Sequence, residues 1–115
     1  MDGDRATVLV VDDDPSLRLL CRVNLELEGY RVVEAGDVDS AREALAADKV
    51  DVVLLDVHLG NQDGLTLLPA VGASGPSVAL LTGSPGSQLP EGATVIGKPF
   101  SIEELTQTVE RLAGS

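Results

Sequence analysis

Cysteine, aromatic rings and positive charge are what this sequence has least of, and each scarcity narrows what it can be. Cys21 is the only cysteine, so no intramolecular disulfide can form and a reducing, cytoplasmic setting is expected. Its place on the apolar side of a helix predicts a buried structural thiol rather than a reactive one. Tyr30 and Phe100 are the only aromatic residues, so the core must be built from Val, Leu and Ala. Lys and Arg number 8 against 19 Asp and Glu, a formal charge of −11. That balance argues against a nucleic-acid partner or an anionic membrane surface, and it suits a site that gathers carboxylates around a cation. Long apolar runs are missing as well. Residues 1–7 carry three charges and precede only four apolar residues, too short a run for a signal peptide or a membrane span.

What is present is the composition of a globular domain. The chain has 115 residues, 43% of them hydrophobic and 23% charged, enough to bury a real core. With no repeat, linker or low-complexity segment, residues 1–115 are expected to form one domain. The chain is organised around Val52-Val53-Leu54-Leu55-Asp56. Four consecutive apolar residues, two of them β-branched, read as a strand covered on both faces, as in a parallel sheet. The run ends on a carboxylate and turns through Gly60-Asn61-Gln62-Asp63-Gly64, so Asp56 projects from the carboxyl end of a central strand, where open α/β sheets hold their ligands.

Other segments repeat the pattern. Val8 to Val11 is an apolar strand ending on Asp12-Asp13-Asp14, and Pro15 suits a first helical position with Asp14 as N-cap. That helix is predicted to run to about Glu28 and stop at Gly29. Leu17, Leu20, Cys21 and Leu27 are expected on its inner face, with Leu19 well off it. Tyr30 to Ala35 reads as a strand, and Asp37 as the cap of a short helix facing inward with Ala41, Ala44 and Leu45. Leu65 to about Val71 is a short helix carrying Pro69 early. Ser77 to Leu81 is a fourth strand ending on Thr82; a fifth, around Thr94 to Gly97, ends on Lys98-Pro99. Ser101-Ile102-Glu103-Glu104 is a capping box, with Phe100 and Leu105 as a hydrophobic staple and Leu105, Val109 and Leu112 facing the core. The β-α alternation, five times over, implies a doubly wound parallel sheet with helices on both faces. Asp12, Asp13, Asp56, Thr82 and Lys98 then converge on one rim.

Three carboxylates without a Cys or His partner make a hard, oxygen-rich site suited to Mg²⁺ rather than zinc. A cation between Asp13 and Asp56 would screen like charges and draw in a phosphoryl oxygen, leaving one carboxylate to act as nucleophile and form an acyl phosphate. Lys98 offers positive charge to the phosphoryl oxygens and Thr82 a hydroxyl donor. Transfer of this kind is mostly positioning and charge neutralisation, so few groups suffice.

These residues resemble the receiver domains of two-component response regulators over almost the whole chain. The likeness rests on Asp12-Asp13, on Asp56 followed by Leu59-Gly60 and Asp63-Gly64, on Thr82, and on Lys98-Pro99-Phe100. It implies a flavodoxin-like (βα)5 fold of strand order 2-1-3-4-5, a signalling module rather than an enzyme, with Asp56 as phosphoacceptor and Thr82 and Lys98 assisting. It further implies Mg²⁺ organised by Asp12 and Asp13, with direct ligands from Asp13, Asp56 and the backbone carbonyl of His58. The implied partner is a sensor histidine kinase or a histidine phosphotransfer protein, met through the first helix, where Leu19 is a candidate contact; a separate downstream protein is a further expected partner. The Lys98-Pro99 peptide is often cis in such domains.

Departures from the family's pattern are equally specific. Gly60 stands where Pro is usual, and Val95 where many receivers carry a switching Tyr or Phe. Gly83 to Gly92 holds three Gly and two Pro, so the usual fourth helix is expected to be degenerate or missing and 83–90 to be a mobile loop. The wording around Thr82 and Lys98 resembles single-domain receivers paired with HWE-type kinases. Two alternatives stay open here: a degenerate receiver that only binds proteins, and a haloacid-dehalogenase-type phosphatase. The second normally carries an Asp two residues after its nucleophile, where this chain has His58, read here as a solvent-facing residue that tunes hydrolysis. A dinucleotide-binding turn is disfavoured, because Asp12-Asp13-Asp14-Pro15 occupies the place of its glycines.

Overall fold

A computed structural model describes residues 5–72, 75–83 and 89–114. Within them, strands β1 (Thr7–Val11), β2 (Arg31–Ala35), β3 (Val52–Asp56), β6 (Ser77–Thr82) and β7 (Thr94–Gly97) form one sheet in the order β2-β1-β3-β6-β7. All four pairings are parallel. Counting only these five, the order is the expected 2-1-3-4-5. Beside the sheet, β4 (His58–Leu59) and β5 (Gln62–Asp63) pair as a two-residue antiparallel hairpin.

Alternation along the strands divides the core. Val8, Val10, Val52, Leu54, Ala79, Leu81 and Ile96 point to one face and pack against helices α1 (Pro15–Leu27) and α4 (Ile102–Leu112) through Cys21, Leu25, Leu105 and Val109. Leu9, Val11, Val53, Leu55 and Leu80 point to the other, under α2 (Val38–Ala47), a 3₁₀ turn (Gly64–Leu67) and α3 (Leu68–Val71). Every residue of β3 is buried, which is what a strand covered on both faces requires.

The helices begin where their caps predict. The Asp14 carboxylate accepts from the Ser16 N–H at 2.9 Å with Pro15 in the first turn, and the Ser101 hydroxyl oxygen accepts from the Glu104 N–H at 3.0 Å. Asp37 caps α2 in a reciprocal box with Ser40. The reading of α1's inner face needs correction. Leu17, Cys21 and Leu25 face the core, whereas Leu20 and Leu27 are exposed, Leu27 to 78%. The expected helix over 65–71 is split into a 3₁₀ turn and one α turn, with Pro69 at the start of the latter. Between β6 and β7 no helix occurs among the described residues, and Leu89 packs against the second cluster. The loop expectation for 83–90 falls mostly on 84–88, which lie outside the described residues. Among the described residues no helix is long and apolar enough to cross a membrane.

Candidate functional site

The chain leaves β1 for β2 on one side and reaches β3 on the other, so the carboxyl ends of β1 and β3 flank the point where the winding reverses. Open sheets leave a crevice there. Asp12 and Asp13 follow β1 directly and Asp56 closes β3; Val11 pairs in register with Leu55. One carboxylate oxygen from each of Asp12, Asp13 and Asp56 lies within 4.8 Å of the others. Asp12 and Asp56 are buried and Asp13 is exposed, which leaves the cluster open to solvent on one side.

Lys98 closes the buried side. The Lys98–Pro99 peptide is cis, and Nζ of Lys98 stands 2.9 Å from Oδ2 of Asp12 and 3.3 Å from Oδ2 of Asp56. The lysine backbone is fixed too, its N–H donating to the Thr82 carbonyl at 2.8 Å. Burial opposes the lysine's charge, but the hydrogen bond and charge of Asp12, joined by Asp56, outweigh it and hold the ammonium pKa above its ordinary value. Asp56 is pushed the other way for an acid. Burial, reinforced by the Asp12 charge, raises its pKa although the His58 N–H and Lys98 both favour the carboxylate. The His58 N–H donates to Oδ1 of Asp56 at 3.1 Å, while the imidazole is exposed. Thr82 is fully buried at the end of β6, next to β3.

Asp12 is held from every side. Its N–H donates to the Ala35 carbonyl at 3.1 Å, and Oδ1 accepts from the Asp14 N–H at 2.9 Å. Its carbonyl accepts from Nη1 of Arg18 at 2.6 Å. On the other side of the crevice, Gly64 packs so tightly under Asp56 that a Cβ there would overlap the Asp56 carbonyl oxygen, and the Gly64 N–H donates to Val57 at 2.7 Å. The five groups singled out in the sequence thus sit at the carboxyl ends of adjacent strands, with Asp12, Asp13, Asp56 and Lys98 in one cluster. Arg18 and the steric need for Gly64 were not foreseen. Arg18 gives no local signal, because its partner Glu34 lies 16 residues away.

The donor set accommodates a hard divalent cation. It consists of oxygens, and three carboxylates face a single ammonium. Oxygens sharing one Mg²⁺ lie at most about 4 Å apart, given Mg–O distances of about 2.0–2.1 Å, so small side-chain rotations bring these carboxylates onto a common ion.

A doubly wound sheet with an acidic crevice and a lysine on a cis-proline turn defines a class: flavodoxin-like signalling domains of the type of the chemotaxis response regulators. The comparisons agree. Residues 8–110 match the model of the response regulator receiver domain, and the chain belongs to that family. It is 37% identical to the probable transcriptional regulatory protein TcrX of Mycobacterium tuberculosis, over 96% of this chain and 51% of that protein. Among solved structures it resembles the receiver domain of NtrX from Brucella abortus, with a TM-score of 0.82 and 32% identity over 94% of this chain and 98% of that one. The chemotaxis response regulator CheY4 of Vibrio cholerae is similar at a TM-score of 0.80 and 29% identity, over 94% and 98%. The chain spans about half the length, or less, of the curated relatives it matches. Receiver domains are modules of two-component signalling.

Proposed function

We propose that Asp56 is a phosphoacceptor, taking a phosphoryl group from a phosphohistidine on a histidine kinase or phosphotransfer protein in a Mg²⁺-dependent reaction. The observation that carries this is the cluster itself: three carboxylate oxygens within 4.8 Å, one of them on a residue closing the central strand, with an ammonium 3.3 Å away. Mg²⁺, when bound, supplies positive charge to the phosphoryl oxygens and relieves the repulsion among the carboxylates. Asp13 and Asp56, with the His58 carbonyl, are the direct ligands in this reading, and Asp12 acts through bound water.

The residues divide the remaining work. An Asp56 carboxylate oxygen attacks phosphorus, and the donor's P–N bond breaks with its electron pair going to the departing imidazole. An acyl phosphate remains on Asp56. The Asp56 carboxylate is stabilised less by its surroundings than one in water, as burial raises its pKa; in the acyl phosphate the negative charge sits on the phosphoryl oxygens instead, where Lys98 and the cation offset it. Lys98, kept protonated by Asp12, turns to the new phosphoryl oxygens as Asp56 loses its own negative oxygen. Thr82, at the neighbouring strand end, donates its hydroxyl to the same group. In this reading the chain acts as a receiver domain, and a downstream protein target is a candidate recipient of its output.

Intact-mass measurement after incubation with Mg²⁺ and a small phosphodonor tests the assignment. Wild-type protein should gain one phosphoryl group, abolished by chelation and by Asp56→Asn. A folded wild-type chain that gains no mass from either a small donor or a cognate kinase defeats the reading, and modification that persists in Asp56→Asn moves the site elsewhere.

A further inference from the structure

We infer that Arg18 and Glu34 form a brace that fixes the peptide between Asp12 and Asp13, and thereby sets the position from which the acidic pair receives a divalent cation. The inference rests on the cation-binding reading of the crevice given above. Arg18 and Glu34 are positioning residues in it, since neither reaches the crevice.

The geometry is a chain of contacts running from β2 to the crevice. Glu34 lies in β2, with its carboxylate between two arginines of α1: Nε of Arg18 at 3.1 Å from Oε1, and Nη1 of Arg22 at 2.7 Å from Oε2. Arg18, held by Glu34 through Nε, donates through Nη1 to the Asp12 carbonyl at 2.6 Å. The Arg18 and Glu34 side chains are only 21% and 24% exposed, so their geometry is far better fixed than that of a surface ion pair. One residue beyond Glu34, the Ala35 carbonyl accepts the Asp12 N–H. Both polar groups of the Asp12 backbone are therefore tied to β2, one directly and one through Arg18.

A peptide unit is a rigid plane. Holding the Asp12 carbonyl oxygen fixes the nitrogen and Cα of Asp13 with it. The Asp14 N–H, bonded to Oδ1 of Asp12, holds the peptide that follows, so the backbone carrying the exposed Asp13 carboxylate is anchored at both ends. Asp12 has further anchors on its side chain, from the Asp14 N–H and Lys98, so its own carboxylate depends less on the brace. Gly36 completes the arrangement: a Cβ there would lie 3.1 Å from Nη1 of Arg18, closer than ordinary packing and on the atom that holds the loop. Lysine cannot replace Arg18 in this role. Its ammonium is a single point, whereas the planar fork bonds a carboxylate and a carbonyl in fixed directions at once.

Electrostatics alone and positioning agree on Glu34 and predict opposite signs at Arg18, which makes the test decisive. If the pair acted only through its charges, removing Arg18 would tighten Mg²⁺ binding and neutralising Glu34 would weaken it. Positioning predicts that Arg18→Ala and Glu34→Gln both weaken it. The measurement is a Mg²⁺ titration of the unphosphorylated full chain, followed by calorimetry or amide shifts in the β1–α1 loop, with the thermal midpoint recorded separately without Mg²⁺. Arg18→Ala should lose affinity about tenfold, at the low end for groups that orient a metal's ligands from behind. Glu34→Gln should lose less, and the double variant no more than Arg18→Ala alone. Opposite signs for the two single variants, or unchanged affinity in folded Arg18→Ala, overturn the inference. Should Arg18→Ala fail to fold, Arg18→Lys and Gly36→Ala decide: both keep the charge and disturb the fork, so both should weaken binding, and wild-type affinity in both overturns the brace. A wild-type chain that binds no Mg²⁺ fails the cation-binding reading instead, a result distinguishable from all of these.

Discussion

Cys21 sits fully buried on the inner face of α1, and its surroundings set its chemistry. Burial, with a smaller push from the Asp12 charge, raises its thiol pKa from 9.0 to about 11. Thiolates, not thiols, react with alkylating reagents, so native protein at pH 8.5 should resist iodoacetamide and denatured protein should not; equal rates would contradict the burial. The same shift has a consequence for stability. The folded-state pKa is raised above the unfolded value, so the folded chain keeps its proton where the unfolded chain loses it. The stabilising contribution is complete below pH 9 and is lost as pH rises towards about 11. Other groups titrate in that window, so the expected observation is a difference: wild type loses more stability between pH 8 and pH 11 than Cys21→Ala does. Gly64 illustrates another residue-scale constraint. Its need is to lack a Cβ against the Asp56 carbonyl, and sequence alone announces only a turn.

At the scale of elements, α1 carries both a lesson and a prediction. Seven of its thirteen residues are apolar: Leu17, Leu19, Leu20, Cys21, Val23, Leu25 and Leu27. At about 100° per residue they cover most of the circumference, so periodicity shows that an apolar face exists without showing which one. Sheet and α4 decide it, taking Leu17, Cys21 and Leu25. The hairpin of β4 and β5 was illegible for a related reason, since two-residue strands have no period to read. The strands, the caps and the placing of the crevice residues at strand ends were legible, because each depended on a local pattern: an apolar run, a polar terminus, a Pro or a Ser in the right place. The strand order depends on pairing between distant segments and followed only from the family resemblance. What remains on α1 is an exposed apolar strip of Leu19, Leu20, Val23 and Leu27, with Leu19 58% exposed. Beside it opens a groove lined by Asp14, Leu17, Leu20, Lys98, Pro99 and Phe100. In the phosphoacceptor reading proposed above, a strip that borders Lys98 is placed to meet the protein that would bring the phosphoryl group. Leu19→Ser should therefore slow transfer from the cognate kinase or phosphotransfer protein by about tenfold, the worth of one apolar anchor of about 1.4 kcal/mol. Labelling by a small phosphodonor, which needs no docking, should be unchanged, as should the thermal midpoint. Equal loss with both donors would make Leu19 structural, and wild-type transfer from the protein donor would remove it from the interface.

For the whole molecule, the net charge of −11 is carried in part by a crevice that the fold itself finds costly. Asp12 and Asp56 are buried together, and the upward shift of the Asp56 pKa means that ionising it costs more in the folded chain than in the unfolded one. At neutral pH, with the metal chelated, that ionised group works against folding. Two changes should relieve it by different routes. Asp56→Asn removes the charge and keeps the shape, so its thermal midpoint in chelator should exceed that of wild type; each kcal/mol gained is about 4 °C for a domain of this size. In the cation-binding reading proposed above, Mg²⁺ would offset the charge by binding only the folded form, and at 100 times its dissociation constant would contribute about 2.7 kcal/mol. It should raise the wild-type midpoint by roughly 10 °C, and raise Asp56→Asn and Asp13→Asn by clearly less, since each variant lacks an anionic ligand. Calorimetric scans of the three proteins with and without Mg²⁺ are the check. An Asp56→Asn midpoint at or below wild type in chelator would show that the Lys98 contact is worth more than the buried charge costs. Equal Mg²⁺ increments in all three proteins would place the cation outside the crevice.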